Sequence, residues 1–386
     1  INKLDIETVD PFSHPDAMRR FRVMNNVEEL ELALEFPWEK WAIFLHPAQQ
    51  EMVDRNFGGP ARVSGSAGTG KTIVALHRAV HLARNNPDAR VLLTTFSNTL
   101  ANALKKKLRL LISSEPRLAE QIDVYSMDSI GRRLYELKFG KPKIATRDEI
   151  REMLRNASAG VDGHKFTLHF LMSEWEEVVD AWQLKTWEAY RDVARLGRKT
   201  RLPEKQREFP WSIFEHLRNQ MTERSLVTDA GVLAALTESL TEGNNPPFDF
   251  AVVDEAQDID PAQLRFLAAL GGGRPNSLFF AGDLGQRIFQ QAFSWFSLGI
   301  DIRGRSRSLK INYRTSHQIR AQADRLLGPE VSDVDGITEN RRGTVSIFNG
   351  PPPEIIDFES AEDEIGGVAE WLLGIKKEGV QPHEIG

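Results

Sequence analysis

The feature that most narrows what this chain can fold into is the run Gly65-Ser66-Ala67-Gly68-Thr69-Gly70-Lys71-Thr72, which satisfies G-x-x-x-x-G-K-[ST] in full. Ahead of it, Ala61-Arg62-Val63-Ser64-Gly65 reads as a buried strand, and Gly70 to about Arg84 reads as a helix. Strand, glycine-rich turn and helix in that order build a cradle for phosphates. Glycine lets the backbone wrap closely, so successive N–H groups point inward, and the helix N-terminus adds partial positive charge. Lys71 is expected to reach the β- and γ-phosphates of a nucleotide, and Thr72 to ligate Mg²⁺.

An α/β rhythm continues from there. Arg90 to Thr95 reads as a second strand, Asn98 to Leu111 as a basic helix, and Gln121 to Tyr125 as a third strand with a helix after Met127. Such alternation predicts a parallel sheet covered on both faces. Residues 147–157, 168–196, 210–222 and 229–240 then carry helical periodicity and little strand signal. Strands resume at Phe248 to Val253 and Ser277 to Ala281, and a further set begins near Ser308, with a helix from Ser316, a strand at 344–348 and a helix from Ala361 to Lys377. A short acidic helix is expected from Asn26, as N-cap, through Glu35.

The strand at 250–253 ends in Asp254 and Glu255. In nucleotidases built on this loop, the strand beside the phosphate loop ends in an acid that holds Mg²⁺, so Asp254 is the metal candidate alongside Thr72. Glu255 is placed to orient or deprotonate the attacking water. Asp258 and Asp260, just before Pro261, read instead as helix caps.

Composition bounds the rest. The chain has 386 residues, 41% hydrophobic and 27% charged, ordinary for a soluble globular protein with two or three domains. It has no cysteine, which excludes disulfides and thiolate zinc sites and fits a reducing compartment; a cytoplasmic protein is expected. No apolar run approaches the roughly 20 residues of a membrane span. Net charge is −6, so nucleic acid would be gripped by a local groove rather than by a basic coat. The first residue is Ile1 and the last residues look like the start of another strand, so the chain is read as part of something longer.

Several further motifs fall in one order. Leu45-His46-Pro47-Ala48-Gln49 resembles a glutamine motif, Thr95-Phe96-Ser97-Asn98 motif Ia, and Ser126-Met127-Asp128-Ser129 a variant of motif Ic. Val253 to Asp258 resembles motif II, Ala281 to Phe289 motif III, and Asn312-Tyr313-Arg314-Thr315-Ser316 motif IV. Together they resemble the UvrD/Rep group of superfamily 1 DNA helicases, from about residue 45 to 316. That resemblance implies a RecA-like, P-loop ATPase domain (1A, residues 45–104 and 246–294), a mainly helical insertion (1B, 105–245) and part of a second RecA-like domain (2A, 295–386), after an extension at 1–44. It implies ATP as nucleotide with Mg²⁺, Gln49 on the adenine edge, and Gln286 sensing the γ-phosphate. It places Tyr313 on the adenine and Arg314 as an arginine finger from the second domain. It also implies 3′-to-5′ movement on single-stranded DNA and at single/double-strand junctions, with motifs V and VI lying beyond residue 386 and weak turnover by this portion alone.

For the nucleic acid, the resemblance makes Phe96 a base-stacking residue, although a Phe after a strand equally suits a core. Thr95, Asn98, Ser126 and Ser129 suit phosphate oxygens. Motif III departs from the family pattern, so either Phe293 or Trp295 is expected to replace its stacking aromatic. His46 and Asp128 also depart from it. Lys105, Lys106, Lys107 and Arg109 form one basic stretch, and Arg191, Arg195, Arg198, Lys199, Arg201, Lys205 and Arg207 another, read either as DNA contacts or as solvated faces. Two rival functions remain: a translocase that unwinds little duplex, and a nucleotide-gated binding module of a defence system.

Overall fold

A computed structural model of the chain describes residues 45–161, 163, 165–193, 202–243, 245–283, 293–326, 328, 330–382 and 385. Expectations for residues 1–44, Gln286, Phe289, Arg195, Arg198, Lys199 and Arg201 lie outside the described residues.

The first half alternates as its periodicity predicts. Helix α1 (Pro47–Asp54) precedes strand β1 (Ala61–Ser64), helix α2 (Lys71–Asn85), strand β2 (Val91–Thr95), helix α3 (Asn98–Leu111), the short helix α4 (Pro116–Gln121), strand β3 (Ile122–Ser126) and helix α5 (Met127–Phe139). The helical stretch comprises α6 (Arg147–Ala159), α7 (Leu168–Glu174) running into a π-helical turn at Trp175–Asp180, α8 (Trp187–Asp192), α9 (Glu204–Glu223) and α10 (Asp229–Gly243). Then follow β4 (Phe250–Val253), α11 (Pro261–Gly271), β5 (Leu278–Ala281) and β6 (Ser306–Ser308). Asp260 caps α11, accepting from Gln263 N–H in a reciprocal capping box.

Six of these strands form one parallel sheet in the order β3-β2-β4-β5-β1-β6. Every residue of β1, β2 and β5 is buried, the signature of strands covered on both faces, whereas β3 alternates, as an edge strand does. One face packs α2 through Val74, Leu76, Ala79 and Val80; the other packs α5, α10 and α11 through Met127, Leu233 and Phe266. Full burial of each such Val, Leu or Phe side chain contributes about 1.5–3 kcal/mol.

Two expected boundaries cut through this sheet. Strand β3, at 122–126, falls inside the span assigned to the insertion, yet it pairs with β2 along five residues from Val91–Ile122 to Thr95–Ser126. Strand β6 falls inside the span assigned to the second domain, yet Arg62, Val63 and Ser64 pair with Ser306, Arg307 and Ser308. The helical stretch has a separate core only between about Ala145 and Leu226, around Trp175, Tyr190 and Phe214. Helix α10 packs with the parent sheet instead, and Gly131 of α5 makes room for it: a Cβ there would meet Leu233 Cδ2 at 2.8 Å.

Beyond the sheet lie β7 (Ile311–Asn312), α12 (His317–Ala323), the antiparallel pair β8 (Glu330–Ser332) and β9 (Thr338–Asn340), β10 (Val345–Ser346) and α13 (Ala361–Lys377). Strands β7 and β10 run parallel. No helix among the described residues is long and apolar enough to cross a membrane.

Candidate nucleotide site and neighbouring polar face

Parallel strands deliver their C-terminal ends to one edge of the sheet, where ligands of open α/β sheets collect. Here that edge gathers the loop after β1, Asp254 after β4, Gly282 and Asp283 after β5, and Phe96 and Ser126 at the ends of β2 and β3.

The phosphate loop has the conformation its glycines permit. Gly68 and Gly70 both lie at φ 84°, in the left-handed region. At Gly65 a Cβ would fall 2.7 Å from Thr69 Oγ1, so this position admits no side chain without a shift. Thr69 braces the loop from within, its hydroxyl donating to Ser66 O at 2.9 Å. Ser66 Oγ is buried without a hydrogen-bond partner among the described residues. The Lys71 ammonium arches back over the loop, donating to Gly65 O at 2.7 Å and Ser66 O at 3.2 Å. Burial lowers its pKa, opposed by the negative charges of Asp283, Glu255, Asp254 and Glu339.

The strand bearing the acids is not beside β1, contrary to expectation: β5 intervenes. Asp254 nevertheless reaches the first turn of α2, where a hydrogen bond from the Thr72 side chain favours its carboxylate against two stronger influences. Those are burial first and the neighbouring Glu255 second, which together push the group up to about 7. No cluster of three or more His, Cys, Asp or Glu side chains among the described residues could hold a metal. Thr72 and Asp254 together suit Mg²⁺, which takes its other ligands from phosphate and water. Glu255 adopts φ 53°, left-handed for a residue with a side chain, and its Oε2 accepts from Gln257 Nε2 at 2.7 Å.

The base end assembles from far apart in the chain. Gln49 is buried, Oε1 accepting from His46 N–H at 2.8 Å and Nε2 donating to Thr69 O at 2.9 Å. Its amide crosses directly over Gly70, which has no Cβ to obstruct it. Tyr313 N–H donates to Gly68 O at 2.9 Å, and its ring stands 5.5 Å from that of His46, tilted 45°. The Tyr313 hydroxyl is buried without a hydrogen-bond partner among the described residues, and burial raises its pKa. Arg314 is exposed, with its Cβ packed against Gly68, and makes no ion pair among the described residues.

Asn312, quoted in its motif but given no role from sequence, ties this strand to the loop. It is 1% exposed; Nδ2 donates to Ala67 O at 2.8 Å, and Oδ1 accepts from Arg314 N–H at 3.0 Å and Thr315 N–H at 2.9 Å. Gln257 is a second residue that sequence reasoning passed over, with bonds to both Glu255 and the backbone of Asp283. For Gln257 the signal available was a polar amide among the acids of its motif; for Asn312 it was a polar residue directly after the apolar Ile311.

The polar face at β2 and β3 is a mixed result. Asn98, Ser126 and Ser129 do come together: both hydroxyls donate to Asn98 Oδ1 at 2.7 Å, and Ser126 Oγ also caps α5 by accepting from Ser129 N–H at 3.2 Å. Phe96 stands beside them, 37% exposed. Three expected contacts are corrected. Thr95 is fully buried, the last residue of a strand covered on both faces, and faces no solvent. Phe293 packs edge-on against Trp182, with centroids 5.9 Å apart, and Trp295 packs on Phe280 at 4.8 Å. Both are about 95% buried, because they pack into the apolar cluster on the face of the sheet that holds α5, α10 and α11. Of the basic stretches, Lys105, Lys106 and Arg109 are exposed. Arg191 pairs with Asp192, and Arg207 is spent on the backbone carbonyls of Leu202, Tyr190 and Arg191.

Comparison with known proteins agrees with this edge of the sheet. The family model for the UvrD/REP helicase N-terminal domain matches residues 45–293. A Bacillus subtilis (strain 168) protein named "Putative ATP-dependent DNA helicase YjcD" is 25% identical over 286 residues, covering 69% of this chain and 36% of its own length. The chain thus spans about a third of the length of that curated relative. With a phosphate loop, an Asp-Glu pair and an Asn-Tyr-Arg strand converging on one edge of a parallel sheet, the chain belongs to the UvrD/REP helicase family through its N-terminal domain.

Proposed function

We propose that this chain is the ATP-hydrolysing motor portion of a DNA helicase or translocase that moves on single-stranded DNA, in the 3′-to-5′ direction that the family resemblance implies. The observation that carries the reading is the convergence of Lys71, Thr72, Asp254 and Glu255 with Tyr313 and Arg314 around one glycine-rich loop. The buried hydroxyl of Ser66, in this same loop, has no partner among the described residues, which suits a polar ligand.

In this reading the loop amides and Lys71 bind the triphosphate, and Lys71 leaves the carbonyls of Gly65 and Ser66 to do so. Thr72 and Asp254 hold Mg²⁺, which spreads charge over the phosphate oxygens when bound. Glu255 orients and deprotonates the attacking water. Gln49 and Tyr313 take the adenine. Arg314, exposed and without an ion pair among the described residues, stabilises charge developing on the γ-phosphate as the second unit closes on the first. Gln286 completes the γ-phosphate contacts. Phe96, with the Asn98–Ser126–Ser129 cluster, meets bases and phosphates of the single strand. The described domains act as 1A, 1B and the opening of 2A, and hydrolysis reopens the cleft between 1A and 2A.

The test is ATP turnover by the intact protein with and without single-stranded DNA, together with strand displacement on a tailed duplex. Stimulation by single strands with displacement supports a helicase. Stimulation without displacement favours a translocase that clears proteins or serves a nuclease. Turnover indifferent to DNA would overturn both and leave a nucleotide-gated binding module.

A further inference from the structure

We propose that Gln257 is a positioning residue for the hydrolytic carboxylate, linking Glu255 to the segment that carries Arg341; this rests on reading Glu255 as the residue that orients water. The Gln257 side-chain amide bridges two motifs. Its Nε2 donates to Glu255 Oε2 at 2.7 Å, and its Oε1 accepts from the backbone N–H of Asp283 at 3.0 Å. Gln257 is 6% exposed; its bond to Asp283 is buried and its bond to Glu255 part-buried, and a hydrogen bond shielded from water is stronger and its loss more costly.

Two backbone features are fitted to this bridge. A Cβ built on Gly282 would lie 2.8 Å from Gln257 Oε1 and 3.0 Å from Gln257 N, so a side chain at 282 would displace the amide. Glu255 sits at φ 53°, a conformation that persists in a non-glycine residue only where surrounding contacts enforce it. The Gln257 amide supplies one, and it fixes where the Glu255 carboxylate points.

The path does not stop at Asp283. Its carboxylate, 1% exposed, accepts from Arg341 Nη1 at 3.2 Å, and Arg341 Nη2 donates to Asp324 Oδ1 at 3.4 Å. Arg341 and Asp324 lie past β7, outside the six-stranded sheet. Movement of that segment therefore pulls on Asp283 and, through Gln257, on Glu255. This gives the second unit a handle on the hydrolytic carboxylate that is separate from Arg314 and does not touch the nucleotide.

The experiment measures steady-state ATP turnover of the intact protein at saturating single-stranded DNA, and equilibrium binding of a fluorescent ATP analogue. It compares Gln257→Leu, Gly282→Ala, Arg341→Met and the double variant Gln257→Leu/Arg341→Met. Gln257→Leu is expected to lower kcat about tenfold or more while analogue affinity changes by less than about twofold. Gly282→Ala, which keeps the amide but crowds it out, should reproduce that split. Arg341→Met should lower kcat about threefold on its own and add nothing in the Gln257→Leu background, because members of one linked path are not additive. Multiplying effects, a kcat within about twofold in Gln257→Leu, or parallel loss of analogue binding and turnover in both Gln257→Leu and Gly282→Ala would overturn the proposal. Glu255→Gln separates the two layers. If that variant turns over normally, the reading of Glu255 itself fails; if it is inactive while Gln257→Leu is normal, only the link fails.

Discussion

The nucleotide loop and the polar face at β2 and β3 share one edge of one sheet, yet they are built in opposite ways. The loop is a backbone object: Gly65, Gly68 and Gly70 set its shape, and its partners Asn312 and Tyr313 grip main-chain carbonyls at Ala67 and Gly68. The β2–β3 face is a side-chain object, resting on three short polar groups bonded to one another and one half-exposed ring. A ligand-binding backbone demands particular residue types at fixed spacing, whereas a polar side-chain surface tolerates many. The first is therefore the more recognisable and the second the more adaptable.

That contrast can be broken by substitution. The largest effect should come at the nucleotide end: Glu255→Gln should cut ATP turnover by about 10²–10⁴-fold with the fold intact, measured as kcat beside a thermal melt. A residual rate near that of the unaltered protein would remove the hydrolytic role from this edge. Next, Trp295→Ala should cost about 3–5 kcal/mol of stability, read from denaturant midpoints, since the ring is packed on Phe280 rather than offered to bases. A stable variant with weakened DNA binding would restore the stacking role that burial denies it.

The N-terminus of α11 carries a pH signature. Asp260, beside Asp128 and Asp180, has its carboxyl raised to about 7, chiefly by burial. Its folded-state pKa exceeds its unfolded one, so its contribution is full below about pH 4 and is lost as pH rises towards 7. Asp260→Asn keeps the helix cap and removes the titration. Its melting temperature should therefore exceed that of the unaltered protein at pH 7, by an amount on the order of 2–4 kcal/mol of stability, and converge with it near pH 4. A constant offset across that range would count against the assignment.

Smaller effects probe the β2–β3 face. Phe96→Ala should weaken single-strand binding by about 1–3 kcal/mol, measured by fluorescence anisotropy, and leave ATP affinity unchanged. An unchanged DNA affinity would make Phe96 merely a surface ring. Smallest of all, Tyr313→Phe removes a hydroxyl with no partner among the described residues, so stability should change by less than about 1 kcal/mol and ATP affinity little. A large loss of affinity would show that the hydroxyl itself recognises the nucleotide.

The same contrast explains what could be read from sequence. The phosphate loop was legible because its geometry is local, confined to eight consecutive residues after an apolar strand. Asp254 and Glu255 were legible as acids ending such a strand, and β5 as a strand, although its place between β4 and β1 was not. Gln257 and Asn312 were opaque because their partners lie 26 and 245 residues away, a separation that no local pattern encodes. Phe293 and Trp295 were misread because an aromatic after a strand serves a stacking surface or a core equally well, and only the path of the chain decides. The domain limits slipped for a similar reason: β3 and β6 join the sheet by crossovers, so sequence adjacency misplaced them.

The most direct measurement is equilibrium binding of a non-hydrolysable ATP analogue, with and without Mg²⁺, to the unaltered protein, to Lys71→Ala and to Asn312→Ala. The loop is gripped from both sides, so saturable Mg²⁺-dependent binding should be nearly abolished in Lys71→Ala. It should be weakened by about 0.5–1.5 kcal/mol in Asn312→Ala, where the carbonyl of Ala67 loses its donor. Analogue binding that survives both substitutions unchanged would contradict a triphosphate site at this loop.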